Sequence, residues 1–175
     1  LDLPFSKRAI MFSSFISNSF LADTQGAIKL LLAGLISHPN DSQILNNLAY
    51  SYALINRCDM AEKYLSMSLM SDNINDTTRI CNTATAGLIA FRRHDYDKGH
   101  YYYKLAIEQS QRKNLSYFVT LARINYAREL LLTSNPNKED VMKLIDQSKK
   151  THFKEHKHAI TNIENLIKRT KFEEL

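Results

Sequence analysis

Small and bulky side chains recur at fixed offsets along the first two thirds of the chain. Ala27, Ala61 and Gly99 are each followed by a bulky residue at +4, a small one at +7 and another bulky one at +8. These offsets place the side chains on one stripe of an α-helix. The three small residues are 34 and 38 positions apart. The pattern therefore predicts the same kind of helix three times.

A second amphipathic helix is predicted before each of these three. Ala49 and Gly87 lie twelve positions before Ala61 and Gly99, whereas Phe15 occupies the matching position before Ala27. A terminal repeat often departs from its neighbours in this way. Hydrophobic residues in the rest of the chain follow the same helical periodicity. Together these patterns predict helices at about 5–21, 24–37, 41–55, 59–71, 77–93, 96–111, 114–133, 138–151 and 155–171.

Polar residues mark several predicted helix ends. Asp23, Asp59 and Asp95 precede the second helix of each pair, where a carboxylate can accept hydrogen bonds from the first backbone N–H groups. Asp59 and Glu62 also have the spacing of a capping box. We therefore expect all three aspartates to be N-caps.

Composition agrees with helices and disfavours a β-rich fold. Of the 175 residues, 44% are hydrophobic and 23% charged, and the chain has four Gly and three Pro, too few for the many tight turns of a sandwich or barrel. No run approaches the roughly 20 apolar residues of a membrane span. Cys58 and Cys81 form no metal-binding or disulfide pattern and are interpreted as reduced core thiols, which favours the cytoplasm.

The 34-residue interval, with small residues where paired helices cross, resembles the tetratricopeptide repeat family. Its small positions match Ala49, Ala61, Gly87 and Gly99, and its bulky positions in the second repeat match Leu48, Tyr52, Leu65 and Leu69. The resemblance implies an all-α fold, a right-handed α-α superhelix of about three to four helix-turn-helix repeats plus a C-terminal capping helix. It implies a single domain, 1–175, with repeats at about 8–40, 41–74 and 79–113, a degenerate repeat at 114–152 and the cap at 155–172. Because the chain begins at Leu1, we expect it to be part of a longer protein.

The same resemblance implies a protein–protein interaction scaffold that binds a peptide or protein in a concave groove. The groove positions of the first repeat would be Phe12, Ile16 and Phe20. The positions carried over as partner-binding residues are Gln43, Asn46, Asn47, Tyr50, Leu54, Leu88, Phe91, Arg92, Phe118, Asn125 and Tyr126. Asn47 matches an asparagine that holds a peptide backbone in the family. Arg92 is the one cation among them, which disfavours a clamp for two carboxylates.

Several alternatives stay open at this point. The groove residues could pack against the chain itself, and the exposed ends of the repeat stack could pair with each other. The chain could also be a regulatory or assembly module of a larger enzyme or DNA-binding protein. A nucleic-acid-binding solenoid would use the basic stretch 149–158 (KKTHFKEHKH). We favour a solvated turn for this stretch, because no nucleic-acid-binding motif accompanies it.

No residue pattern indicates catalysis, a cofactor or a metal. The chain lacks a phosphate-binding loop, a dinucleotide fingerprint, a nucleophile elbow and an HExxH motif. His152 and His156 have the spacing of a helical metal pair but lack a third ligand. Consecutive tyrosines 101–103 point in different directions on a helix, and Tyr103 is expected in the core. We therefore predict a binding protein that is not an enzyme.

Overall fold

The computed structural model describes residues 6–72, 74–170 and 172. Over this part of the chain, all regular secondary structure is helical. The nine helices are α1 (Lys7–Ser19), α2 (Thr24–Ser37), α3 (Ser42–Leu54), α4 (Cys58–Leu69), α5 (Asp76–Arg92), α6 (Tyr96–Arg112), α7 (Ser116–Leu131), α8 (Lys138–Ser148) and α9 (Lys154–Arg169).

The predicted all-α class and the order of the helices are confirmed. Most ends agree with the prediction to within two residues, and the largest difference is at α8, which ends at Ser148 instead of residue 151. The ends predicted at residues 5 and 171 lie outside the described residues. Periodicity therefore identified each helix, while local hydrogen bonding decides where each one stops.

Two of the three predicted aspartate caps are confirmed. Asp23 accepts a hydrogen bond from the backbone N–H of Gly26 at 2.8 Å, and Asp95 accepts one from that of Lys98 at 3.3 Å. The prediction for Asp59 is wrong. Helix α4 begins one residue earlier, at Cys58, so Asp59 lies inside its first turn and Arg57 is the N-cap residue, without a side-chain cap.

The chain divides into two compact units, Leu1–Gly99 and His100–Leu175, with the boundary inside α6. In the first unit α1 packs on α2, α2 on α3, α3 on α4 and α5, and α4 on α5. Helix α3 is thus the central element of its unit, packed on α2, α4 and α5 and hydrogen-bonded to α1 through Asn18 and Ser51.

Small residues let these helices approach closely. A Cβ atom added to Gly34 would lie 2.9 Å from Ile10 of α1 and 3.4 Å from Ile44 of α3. Ser68, 34 positions later on α4, lies 2.8 Å from the carbonyl oxygen of Ser42 and 3.0 Å from Oδ1 of Asn82. Around these contacts a core forms from Ile10, Ile28, Leu31, Ile44 and Leu48.

Four helix connections of the described residues contain a residue with a left-handed φ, and one of the four, Asn114 between α6 and α7 (55°), lies outside the repeat interval. Ala22, Asn56 and His94 each adopt a left-handed φ, of 51°, 59° and 61°. They precede Ala27, Ala61 and Gly99 by five positions each, and all three of these small residues are buried. The 34- and 38-residue intervals therefore apply to the turns as well as to the helices.

In the second unit α7 packs on α8 and α9, and α8 packs on α9. The buried face of α9 carries Ile160, Ile163 and Ile167. Tyr103 is 1% exposed and stacks on Tyr126, with ring centroids 5.2 Å apart. The predicted core position of Tyr103 is confirmed.

Replacing Gly99 with alanine tests the close approach between α5 and α6. An added Cβ would lie 2.5 Å from the ring of Phe91, which is buried. Within a helix, Gly→Ala usually stabilises by about 0.5–1 kcal/mol. Here we expect Gly99→Ala to lower the free energy of unfolding by about 1–3 kcal/mol because it overpacks the core. Urea unfolding measures the change.

The control is the same substitution in a Phe91→Leu background, where the loss should be smaller because the ring is gone. A stabilising effect of Gly99→Ala in the wild-type background would contradict the close approach.

Candidate functional site

Helix α3 is buried on most of its circumference and accessible along one narrow face. Its buried residues are Ser42, Ile44, Leu45, Asn46, Leu48, Ala49, Ser51 and Ala53. The residues between them that stay partly accessible on one face are Gln43, Asn47, Tyr50 and Leu54, here named the α3 stripe. Their spacing of four, three and four places them on one side of the helix. Two amides, a phenol and an apolar group are thus presented together.

Helices α1 and α5 flank the α3 stripe. On one side, the amide of Asn18 donates to Oγ of Ser51 at 2.9 Å, and the amide of Asn47 donates to the sulfur of Met11 at 3.6 Å. On the other side, the hydroxyl of Thr85 on α5 donates to Oδ1 of Asn46 at 2.9 Å. On a helical wheel, positions 46 and 51 lie on opposite sides of the stripe.

Phe12, a groove position implied by the resemblance, is 65% exposed on α1. It lies on the side of α1 away from the buried Ile10, Ser14 and Ser17. Met11 and Asn18 are residues of α1 that contact α3 by hydrogen bonds. Phe12 is therefore not counted as part of the α3 stripe.

Three predicted partner-binding residues are instead buried in the first unit. Asn46 pairs with Thr85, Leu88 is fully buried, and Phe91 packs beneath Gly99 and beside Tyr96. The reason is that α3 and α5 pack directly on each other, which closes these positions to solvent. We therefore leave Asn46, Leu88 and Phe91 out of the candidate surface.

Arg92 lies at the end of α5 and lines a depression of about 540 Å³. Its Nη1 donates to Oδ1 of Asn56 at 3.3 Å. The neighbouring Arg93 binds Asp59 and Glu62, each at 2.6 Å, and the hydrogen bonds that it donates to Glu62 and Asp59 hold its pKa above the ordinary value. Asp59 and Glu62 thus bind an arginine from the next helix pair, a role their capping-box spacing did not indicate.

The remaining predicted site residues belong to the second unit. Phe118 and Asn125 are half-buried, and the ring of Phe118 packs edge-on against Tyr117. Tyr126 is buried, and its hydroxyl lies 2.7 Å from Nδ1 of His100. Burial raises the pKa of Tyr126 to about 12. Tyr126 is thus a core residue of its unit and not a surface contact.

The basic stretch 149–158 contains a turn and the start of α9. Lys149 pairs with Asp146 and Glu164, at 2.9 and 3.3 Å. His156 is 1% exposed and lies against Tyr117 and Phe153, with ring centroids 4.4 and 5.3 Å away. A buried aromatic cluster therefore anchors a segment that looks uniformly polar in the sequence.

Neither cysteine is in a disulfide. Burial raises the pKa of Cys81 to about 12, so its thiol stays protonated at neutral pH and is a poor nucleophile. Among the described residues, no three His, Cys, Asp or Glu side chains come close enough to hold a metal ion. No helix in the described ranges combines the length and apolar character that crossing a membrane requires.

Comparison with protein-family models, with curated proteins and with solved structures finds no significant match. Arguments about function therefore rest on the geometry of this chain.

Replacing each of two adjacent asparagines, the buried Asn46 and the partly accessible Asn47, tests which of them belongs to the core. Asn46→Ala removes the partner of the buried Thr85 hydroxyl, so we expect the free energy of unfolding to fall by about 1–3 kcal/mol. Asn47→Ala loses only a weak contact to sulfur, and we expect less than about 1 kcal/mol. Urea denaturation of both variants measures the difference. Equal losses would show that Asn47 is also a core residue.

His156 should make stability depend on pH. Burial lowers its pKa below 6.5 in the folded protein, whereas the unfolded chain binds the proton at the ordinary value. Stability is therefore unaffected by this group above about pH 7 and falls as pH drops below 6.5, until the folded-state pKa is passed. We expect His156→Phe to reduce the decline in melting temperature between pH 7 and 5.

The matched control is His158→Gln, because His158 is exposed on the same helix. A wild-type pH profile that His156→Phe leaves unchanged would contradict the assignment.

Proposed function

We propose that this chain is a protein-interaction scaffold that binds an extended segment of a partner protein across the α3 stripe, and that it is not an enzyme. The observation that carries the proposal is the accessible row Gln43, Asn47, Tyr50 and Leu54 on a helix whose other residues are buried, apart from the half-buried Tyr52 that stacks on Tyr64. A central helix could be covered completely by its neighbours, yet this one keeps a single polar and aromatic face open between α1 and α5.

The chemistry of the stripe suits an extended polypeptide. An amide side chain offers both a donor and an acceptor, which matches the alternating N–H and C=O groups of a peptide backbone. Gln43 and Asn47 are one helical turn apart, so both side chains can form hydrogen bonds with the main chain of the same bound peptide. Tyr50 supplies aromatic area, which contributes strongly to binding energy at protein interfaces.

Repeated contacts in the first unit support a tetratricopeptide-like architecture. The α1–α2 and α3–α4 pairs have equivalent left-handed residues, Ala22 and Asn56, and equivalent small residues, Gly34 and Ser68. Gly34 meets Ile44 of α3, and Ser68 meets Asn82 of α5, 38 positions later. We propose that these helices are successive repeats. The superhelix and the C-terminal cap remain predictions.

We place the scaffold in a reducing compartment such as the cytoplasm. Cys58 and Cys81 are both free thiols, and such thiols persist where disulfides do not form readily.

Selection from a displayed peptide library tests the proposed binding face. Peptides enriched on the full chain should bind it in a fluorescence anisotropy assay. Tyr50→Ala should weaken that binding about tenfold or more, because aromatic contacts of interfaces commonly contribute at least 1.4 kcal/mol. Asn47→Ala should weaken it as well, since a backbone contact is lost.

Ile36→Ala is the matched control, because Ile36 lies on α2 and is 84% exposed. It should leave affinity unchanged, and circular dichroism should show all variants folded. Peptides that bind Tyr50→Ala and wild type equally well, or a loss of the same size in Ile36→Ala, would overturn the proposal.

A further inference from the structure

The entire net positive charge of the protein belongs to its second unit. Leu1–Gly99 contains nine Lys and Arg against nine Asp and Glu, whereas His100–Leu175 contains fourteen against nine. The formal net charge of +5 is thus a property of one unit and not of the chain as a whole. A charge excess confined in this way indicates a specific anionic partner more strongly than a diffuse one would.

Within that unit, the solvent-facing side of α9 is free of acidic residues. The opposite side is buried through His156, Ile160, Ile163 and Ile167. The exposed residues of the helix are Lys154, Lys157, His158, Thr161, Asn162, Asn165, Lys168 and Arg169, here named the α9 basic face. The two acids of the helix, Glu155 and Glu164, are half-buried at its edges, and Glu164 pairs with Lys149.

Within the described ranges, the cations of this face have no acidic partner. Lys154, Lys157, Lys168 and Arg169 have no carboxylate partner there, and neither has the exposed Lys150 before the helix. Arg93, Lys98, Arg112 and Lys149 each pair with an acid. The five cations on and beside α9 can therefore neutralise phosphates of a nucleic acid, which releases the counterions condensed on that polyanion.

The face also lacks the apolar groups that other partners need. None of its eight exposed residues is apolar, whereas a protein–protein interface has an apolar centre. Interfacial membrane helices insert an apolar face into the bilayer, but the apolar face of α9 packs inside its own unit. Lysine, arginine and amide side chains are the groups that contact phosphate and sugar in nucleic-acid complexes.

The length of the face suits a nucleic-acid backbone. From Lys154 to Arg169 the helix rises about 22 Å, at 1.5 Å per residue. Phosphates of one strand advance about 3.4 Å along a B-form duplex, so the face spans about six nucleotides. Cations lie at both ends of the helix, with amides and a hydroxyl between them.

We propose that the α9 basic face binds the phosphate backbone of a nucleic acid without marked sequence preference. This activity lies beyond the peptide-binding function proposed for the first unit, because it uses residues of the second unit only.

Salt-dependent binding of the full chain to nucleic acid tests the proposal. Fluorescein-labelled 20-mers of mixed sequence, as single-stranded DNA, duplex DNA and single-stranded RNA, serve as probes in anisotropy titrations. With four to five phosphate contacts, the logarithm of the association constant should fall with the logarithm of salt at a slope of about −3 to −4. Affinity should therefore drop roughly a hundredfold between 50 and 200 mM salt. The order of the affinities for the three probes shows which form of nucleic acid the face prefers.

The variant that tests the face replaces Lys154, Lys157, Lys168 and Arg169 with glutamine. It should bind at least tenfold more weakly at 50 mM salt, with a slope near zero. The matched control replaces four exposed cations of the first unit, Arg8, Lys29, Lys63 and Arg79, with glutamine. It changes net charge equally but should retain most of the wild-type affinity and slope. Tyr50→Ala should bind nucleic acid normally, which separates this test from the peptide-binding one.

Several outcomes would overturn the proposal. One is that the wild-type protein does not bind the oligonucleotides at 50 mM salt. Another is that both quadruple variants lose the same amount of affinity, which would indicate a general effect of net charge. If polyglutamate displaces the labelled probe as effectively as an unlabelled oligonucleotide does, the α9 basic face binds an acidic protein instead. Cosedimentation with phosphatidylserine vesicles, without nucleic-acid binding, would assign it to a membrane surface.

Discussion

Close approach between helices of the first unit depends on side chains too small to keep them apart. Gly34 leaves room for Ile10 and Ile44, Ser68 fits between the starts of α3 and α5, and Gly99 lies directly against the ring of Phe91. Dispersion attraction falls steeply with distance, so helices held one methyl group further apart would lose much of their contact energy. The buried position of α3 follows from these contacts.

Because α3 is enclosed by its neighbours, packing also determines which of its residues a partner could contact. Once α1, α2, α4 and α5 have been placed around it, only the side facing away from α2 and α4 remains partly open. Hydroxyl and amide pairs, Asn18 with Ser51 and Thr85 with Asn46, join α3 to its two flanking helices. Such directional bonds set the relative positions of packed helices more specifically than apolar contacts do. The packing of α3 against its neighbours therefore determines the shape of the α3 stripe.

Elements whose residues interact locally could be predicted well. The helix order and the caps at Asp23 and Asp95 depend on residues within a few positions of each other. The roles of Asn46 and Asn47 could not be separated, because Asn46 is buried through a threonine 39 positions away. The cap predicted at Asp59 failed because α4 begins one residue earlier, at Cys58. The pairing of Asp59 with Arg93 could not be predicted, since Arg93 belongs to another helix pair. In the stretch 149–158, the burial of His156 depends on Tyr117, which no local pattern links to it.

Unequal charge between the two units has a consequence for molecular encounters. At physiological ionic strength the electrostatic field of a surface decays over about 8 Å. A polyanion within this distance is attracted more strongly to residues 100–175, which carry the whole net charge of +5, than to residues 1–99, whose charges sum to zero. Such a division would let one polypeptide stay attached to a charged polymer while it samples peptide ligands independently.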